Sequence, residues 1–157
     1  MVAEYALLLL IAGLLTYLGY QDFWHLKLPN SSIAVLFVAV LSFVWVKHYP
    51  NWQPSLIAGG GLFIMGIVFW LFGLMGAGDA KLMLPLGLLI GIPGFLVFAI
   101  ALVFYTLLLL IVVKLAKHLS NAQHPIFQRL YFIARLGKVP FGLPLIAATA
   151  TVMAIMG

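Results

Sequence analysis

The sequence predicts an all-α, polytopic membrane bundle of about six transmembrane helices with both termini outside, and three observations carry that expectation. First, 66% of the 157 residues are hydrophobic and only 7% are charged, whereas an ordinary soluble domain carries about 25% charge. Second, stretches such as Tyr5-Ala-Leu-Leu-Leu-Leu-Ile11 are apolar on every side. Lipid tolerates only helices or closed barrels, and barrel strands would alternate with a period of two. Third, Pro- and Gly-containing breakers recur at about the length of a membrane span.

Taken in order, the spans run over residues 3–20, 31–46, 55–75, 79–91, 94–113 and 141–156. Leu28-Pro29-Asn30 ends the first connection, and Ser31 and Ser32 offer caps for the second span. Pro50-Asn-Trp-Gln-Pro54 separates the second from the third. Gly76-Ala-Gly78 precedes the fourth, and Gly91-Ile-Pro-Gly94 follows it. The fourth span holds Pro85 and is short of the roughly 20 residues that normally cross. One long helix from 82 to 113 would leave five spans. Basic residues decide between the two. With six spans, Lys27, Lys81, Lys114, Lys117, Arg129, Arg135 and Lys138 share one side, and only Lys47 lies on the other. Such an asymmetry marks the cytoplasmic side. It also accounts for the net charge of +5 without nucleic acid. The early segment carries Glu4 in place of a basic region and lacks a small-x-small cleavage site, so it reads as a retained helix. The whole chain, 1–157, reads as a single membrane-embedded domain.

Two lesser features fit this frame. Residues 125–136 place Ile126, Phe127, Leu130, Ile133 and Ala134 on one helical side, and Gln128, Arg129 and Arg135 on the other. That pattern suits a short helix lying on the inner leaflet. Trp45, Tyr49 and Trp52 suit an aromatic belt at the opposite interface.

The chemistry concentrates in two aspartates, Asp22 and Asp79, the only ones in the chain. Ionisable groups at membrane segments are expensive, and by default they mark functional sites. Asp22 opens the run Asp22-Phe-Trp-His-Leu-Lys-Leu-Pro-Asn30. Asp79 lies in Gly76-Ala-Gly-Asp79-Ala-Lys81. Six spans put both on the cytoplasmic face, a result that does not assume they cooperate. Two carboxylates sharing a site need one proton between them. One activates a water and the other donates to a carbonyl. Asp79 opens a helix, where a cap is its structural alternative. Asp22 closes one, where the dipole is unfavourable to an anion. That asymmetry assigns Asp79 to the water and Asp22 to the carbonyl. Gly76 and Gly78 let another backbone approach, Lys81 marks the inner interface, and Pro29 and Asn30 supply turn and cap chemistry. No cysteine is present, and the four histidines are scattered, so no metal site is expected.

The full pattern resembles the GxGD membrane aspartic peptidases, specifically the type IV prepilin peptidases. Gly76-x-Gly-Asp-x-Lys81 is similar to their signature. Asp22 followed by Leu28-Pro29-Asn30 is similar to their first-aspartate motif. Val139-Pro-Phe-Gly-Leu-Pro144 is similar to their terminal Pro-Tyr-Gly element, with Phe141 in place of Tyr. The resemblance implies that Asp22 and Asp79 are the catalytic pair. It further implies a prepilin or pseudopilin substrate, cut on the cytoplasmic side of the inner membrane between a basic leader and an apolar helix. No cofactor is implied. Larger members carry an N-terminal region, often with four zinc-binding cysteines, and methylate the product. This chain is closer in size to the minimal Flp/Tad-type or archaeal preflagellin peptidases, so cleavage without methylation is expected. Trp24 and His25 replace basic residues common in the first motif. The rival class is a small proton-coupled transporter with the aspartates as a relay. Transporters usually show internal repeats and mid-membrane sites, and neither is evident here. The sequence sets neither the particular prepilin nor the oligomeric state.

Overall fold

A computed structural model describes residues 2–48, 51–116, 124–136 and 139–156, and among these it holds helices and no strand. Six helices follow in order: α1 (Val2–His25), α2 (Asn30–His48), α3 (Gln53–Leu71), α4 (Ala77–Ala116), α5 (Pro125–Leu136) and α6 (Gly142–Met156). Four of them, α1 to α4, are long and apolar enough to cross a membrane. The predicted membrane bundle is therefore the observed architecture.

The 40 residues of α4 would run about 60 Å as one straight helix, roughly twice the thickness of the hydrocarbon core. The helix is instead broken at Gly91, with φ 61° and ψ 179°. L side chains rarely adopt this backbone. The second limb, 92–116, folds back along the first, 77–90. Phe98, Ala99 and Leu102 face Met83 across a small apolar cavity. Gly94 approaches Val152 and Ile90. Further on, Val113 and Ala116 pack with Leu130 beside Phe23 and Leu26. Both ends of α4 thus lie at one end of the bundle, and its two limbs with α1, α2, α3 and α6 correspond to the six segments that the sequence predicts as spans. The break falls where Gly91-Ile-Pro-Gly94 predicts it, although it is one residue rather than a loop.

Other boundaries shift. α1 continues past residue 20 to His25, so Asp22 lies within its last turn. α2 opens at Asn30 with the Ile33 N–H bonded to the Pro29 carbonyl at 3.1 Å. Ser31 and Ser32 are thus inside the first turn and do not cap it. α5 has the predicted limits, and Leu130, Ile133 and Ala134 are buried. Ile126 and Phe127 stay exposed on it, facing away from the bundle. Tyr49, Lys117 and Lys138 lie outside the described residues.

The core joins α1, α2, α3, α4 and α6 through Ile11, Leu18, Leu36, Leu62, Leu86 and Leu145. Large apolar side chains such as Leu9, Val38, Leu96 and Phe104 point outward, as a lipid-solvated surface requires. α4 packs most closely on α3 and α6. Small residues set the α3–α4 approach: a Cβ on Gly87 would fall 2.7 Å from the Ala58 carbonyl oxygen and from Gly59 Cα. Close backbone packing of this kind holds helices together where the hydrophobic effect gives no preference between lipid and protein. Gly87→Ala should therefore cost about 1–3 kcal/mol, the range for overpacking. Gly60→Ala, whose Cβ meets nothing within 4 Å, is the control. Thermal unfolding in detergent should separate the two, and equal melting temperatures would contradict this packing.

Candidate active site

Asp22 stands in the last turn of α1 and is 4% exposed. The negative end of the α1 dipole makes that an adverse place for an anion. The remedy comes from a helix that begins about 120 residues later. The first turn of α6 closes with the Leu145 N–H on the Phe141 carbonyl, which leaves the N–H groups of Gly142 and Leu143 without intrahelical acceptors. Pro144 has no donor at the next position. The Asp22 carboxylate accepts the Leu143 N–H at 3.1 Å and is also bonded by the Gly142 N–H. It thus caps α6 from another helix. The approach requires glycine, because a Cβ on Gly142 would lie 2.7 Å from Asp22 Oδ2.

Asp79 is 9% exposed in the first turn of α4. It is not the N-cap that its sequence position suggests as a structural role. With α4 opening at Ala77, it is the third helical residue, and its Oδ2 accepts the Gly76 N–H at 3.1 Å. The Ala80 N–H in turn bonds the Gly76 carbonyl at 3.2 Å. This is the back-reaching half of a capping box. Both carboxylates are therefore held by backbone amides at helix starts. For Asp22 the start of α6 thus offsets the adverse end of α1, whereas Asp79 has the start of its own helix.

The two motifs dock on one another. Leu28 lies against Gly78, where a Cβ would meet Leu28 Cβ at 3.1 Å. Lys81 Nζ donates to Asn30 Oδ1 at 3.1 Å. Lys81 and Asn30 are exposed, and Pro29 is half-buried. Lys81 thus ties the second motif to the first instead of pairing with Asp79. The two aspartates lie close enough to act on each other electrostatically. No group of three or more His, Cys, Asp or Glu residues able to hold a metal occurs among the described residues.

Four contributors were not picked out as site residues from sequence. Gly142 and Leu143 lie in the Val139-Pro-Phe-Gly-Leu-Pro144 run, where a Gly between two prolines at a helix start was the available signal. Arg129, on the polar side of α5, donates from Nε to the Phe23 carbonyl at 2.9 Å. It thereby fixes the end of α1 next to Asp22. Leu26, with φ 53°, is the only non-glycine residue with positive φ among those described, and it turns the chain from α1 toward Leu28.

Comparison with known proteins bears on this site. No individual curated protein and no solved structure matches the chain. A family model, that of the type IV leader peptidases, matches residues 9–114, a stretch that contains both aspartate motifs and ends before α6. With more than half of its length matched, the chain belongs to the type IV leader peptidase family.

Proposed function

We propose that this protein is an aspartic endopeptidase that removes the leader of type IV prepilins or pseudopilins at the cytoplasmic face of the inner membrane. The observation that carries the reading is the burial of the chain's only two aspartates within electrostatic reach of each other, at the seam where their motifs dock. Membership in the family supplies the reaction class, peptide hydrolysis. A water held between the carboxylates gives a proton to one as it attacks the scissile carbonyl. The other donates its proton to the carbonyl oxygen, and the new diol collapses with proton transfer to the leaving amine. Gly76 and Gly78 leave room for an extended substrate backbone. Lys81, Asn30 and Pro29 keep the two motifs in register. The basic side chains gathered around this end support a cytoplasmic orientation, with the lipid bilayer as the solvent of the remaining surface. No cofactor and no nucleic acid enters the reaction.

Cleavage of a purified prepilin by detergent-solubilised enzyme is the direct test. Asp22→Asn and Asp79→Asn should each lower the rate by about 10²–10⁴-fold, the usual worth of positioned acid–base groups. Full cleavage by both variants would remove the dyad and leave the proton-relay alternative.

Gly142→Ala probes the amide cradle. Its Cβ would displace the Asp22 carboxylate, and misplacement by about 1 Å can cost 10²-fold in rate. Gly13→Ala, with nothing within 4 Å of its Cβ, should cleave normally. Equal activity of the two would show that Asp22 does not need the start of α6.

Sidedness is checked with single cysteines at Lys27, Lys81, Arg129 and Lys47 in intact cells. An impermeant thiol reagent should reach only the Lys47 position from outside. Labelling of the Lys81 and Lys47 positions from the same side would refute the six-span arrangement.

A further inference from the structure

At the end of the bundle opposite the aspartates, a cavity of about 480 Å³ opens where the α2–α3 connection, the Gly91 break and the last turns of α6 meet. Its lining is graded. Tyr5, Lys47 and Asn51 are exposed at the mouth. Phe43, Ile90 and Val152 are buried in its walls, with the single hydroxyl of Ser55 among them. The Lys47 ammonium lies 5.5 Å from the centroid of the Phe43 ring, so the cation leans over the apolar wall. The other described basic side chains belong to the far end, around Phe23, Asn30 and α5. Glu4 shares this end but has an interaction of its own.

A chamber with apolar walls, three neutral polar side chains (Tyr5, Asn51 and Ser55) and one cation at its mouth matches an amphiphile with a single anionic head. A peptide backbone would leave amides unsatisfied against these walls. A small hydrophilic ligand would gain little from the depth of the cavity. The chamber opens at the end of a membrane bundle, which puts the headgroups of one leaflet within reach of Lys47.

We propose that this cavity binds one anionic phospholipid, with its phosphate on Lys47 beside Asn51 and an acyl chain among Phe43, Ile90 and Val152. The site is independent of the peptidase reading, since it shares no residue with the aspartate motifs.

The test uses the full-length protein in phosphatidylcholine vesicles that contain a trace of photoactivatable lipid with a diazirine in its acyl chain. Phosphatidylglycerol and phosphatidylcholine headgroups are compared, and adducts are mapped by mass spectrometry. Phosphatidylglycerol should label the segments carrying Phe43, Ile90 and Val152 up to about tenfold more than the choline lipid, whose quaternary ammonium neutralises the same phosphate and repels Lys47. Lys47→Gln should abolish that preference, and Leu8→Trp, which fills the chamber from α1, should abolish the label itself. Three results would overturn the proposal: adducts spread over outward residues such as Leu96 and Phe104, equal labelling by the two headgroups in wild type, or labelling unchanged by both substitutions. The wild-type comparison stands even if a variant fails to fold.

Discussion

A buried carboxylate in a lipid-solvated protein must find donors, and the donors it finds decide where the surrounding helices can lie. Inside a helix bundle an unpaired charge is far costlier than an unpaired amide. Helix starts supply N–H groups with no partner of their own. Here two such starts are spent on two aspartates. Asp22 takes the amides of Gly142 and Leu143, which fixes α6 against the end of α1. Asp79 takes the amide of Gly76, which fixes the turn that leads into α4. Remove either carboxylate and a helix start is left uncapped inside the bundle. A single arrangement thus satisfies the anions and the backbone together.

That requirement reaches across the membrane through α4. Its first limb must begin beside Asp22, and its 40 residues are too many for one crossing. The positive φ at Gly91 lets the chain reverse, so Val113 and Ala116 return to the level of Phe23 and Leu26. From there α5 reaches Phe23 through Arg129. The end of α1 is consequently held on three sides: by α6 at Asp22, by α5 at Phe23, and by the α4 start at Leu28. The left-handed backbone of Leu26 lies between these contacts. A side chain there costs on the order of 1 kcal/mol or more, and packing of Leu26 with the α5 cluster offsets it.

Much of this was legible from the sequence, for reasons that can be assigned. Asp22 and Asp79 stood out because carboxylates are rare in such a composition. The Gly91 reversal was legible because basic residues had to return to one side. Residues 125–136 showed their amphipathic period directly. What was hidden is tertiary. Nothing local ties Gly142 to Asp22, since an amide donor carries no side-chain signature, and the pairing spans about 120 residues. Lys81 has Asp79 two positions away, and sequence proximity points to that pair, yet residues two apart in a helix do not face each other. Lys81 therefore reaches Asn30, 51 residues distant. The same holds for Asp22: its own helix presents an adverse end, and the α6 amides that offset it come from far along the chain.

The choice of amides over cations as partners bears on the chemistry proposed for this pair. The groups acting on the two aspartates are backbone amides and, for Asp22, the other carboxylate. A lysine or arginine in contact would favour the charged form of its partner and oppose protonation. Amides fix an oxygen's position more gently, because they bring only partial charge. Two carboxylates held in this way are positioned by neutral donors alone. The cations at this end are engaged elsewhere, Lys81 with Asn30 and Arg129 with a carbonyl. They organise the segments around the pair without contacting its carboxylates, which is the arrangement that the proposed acid–base hydrolysis of a peptide bond would require.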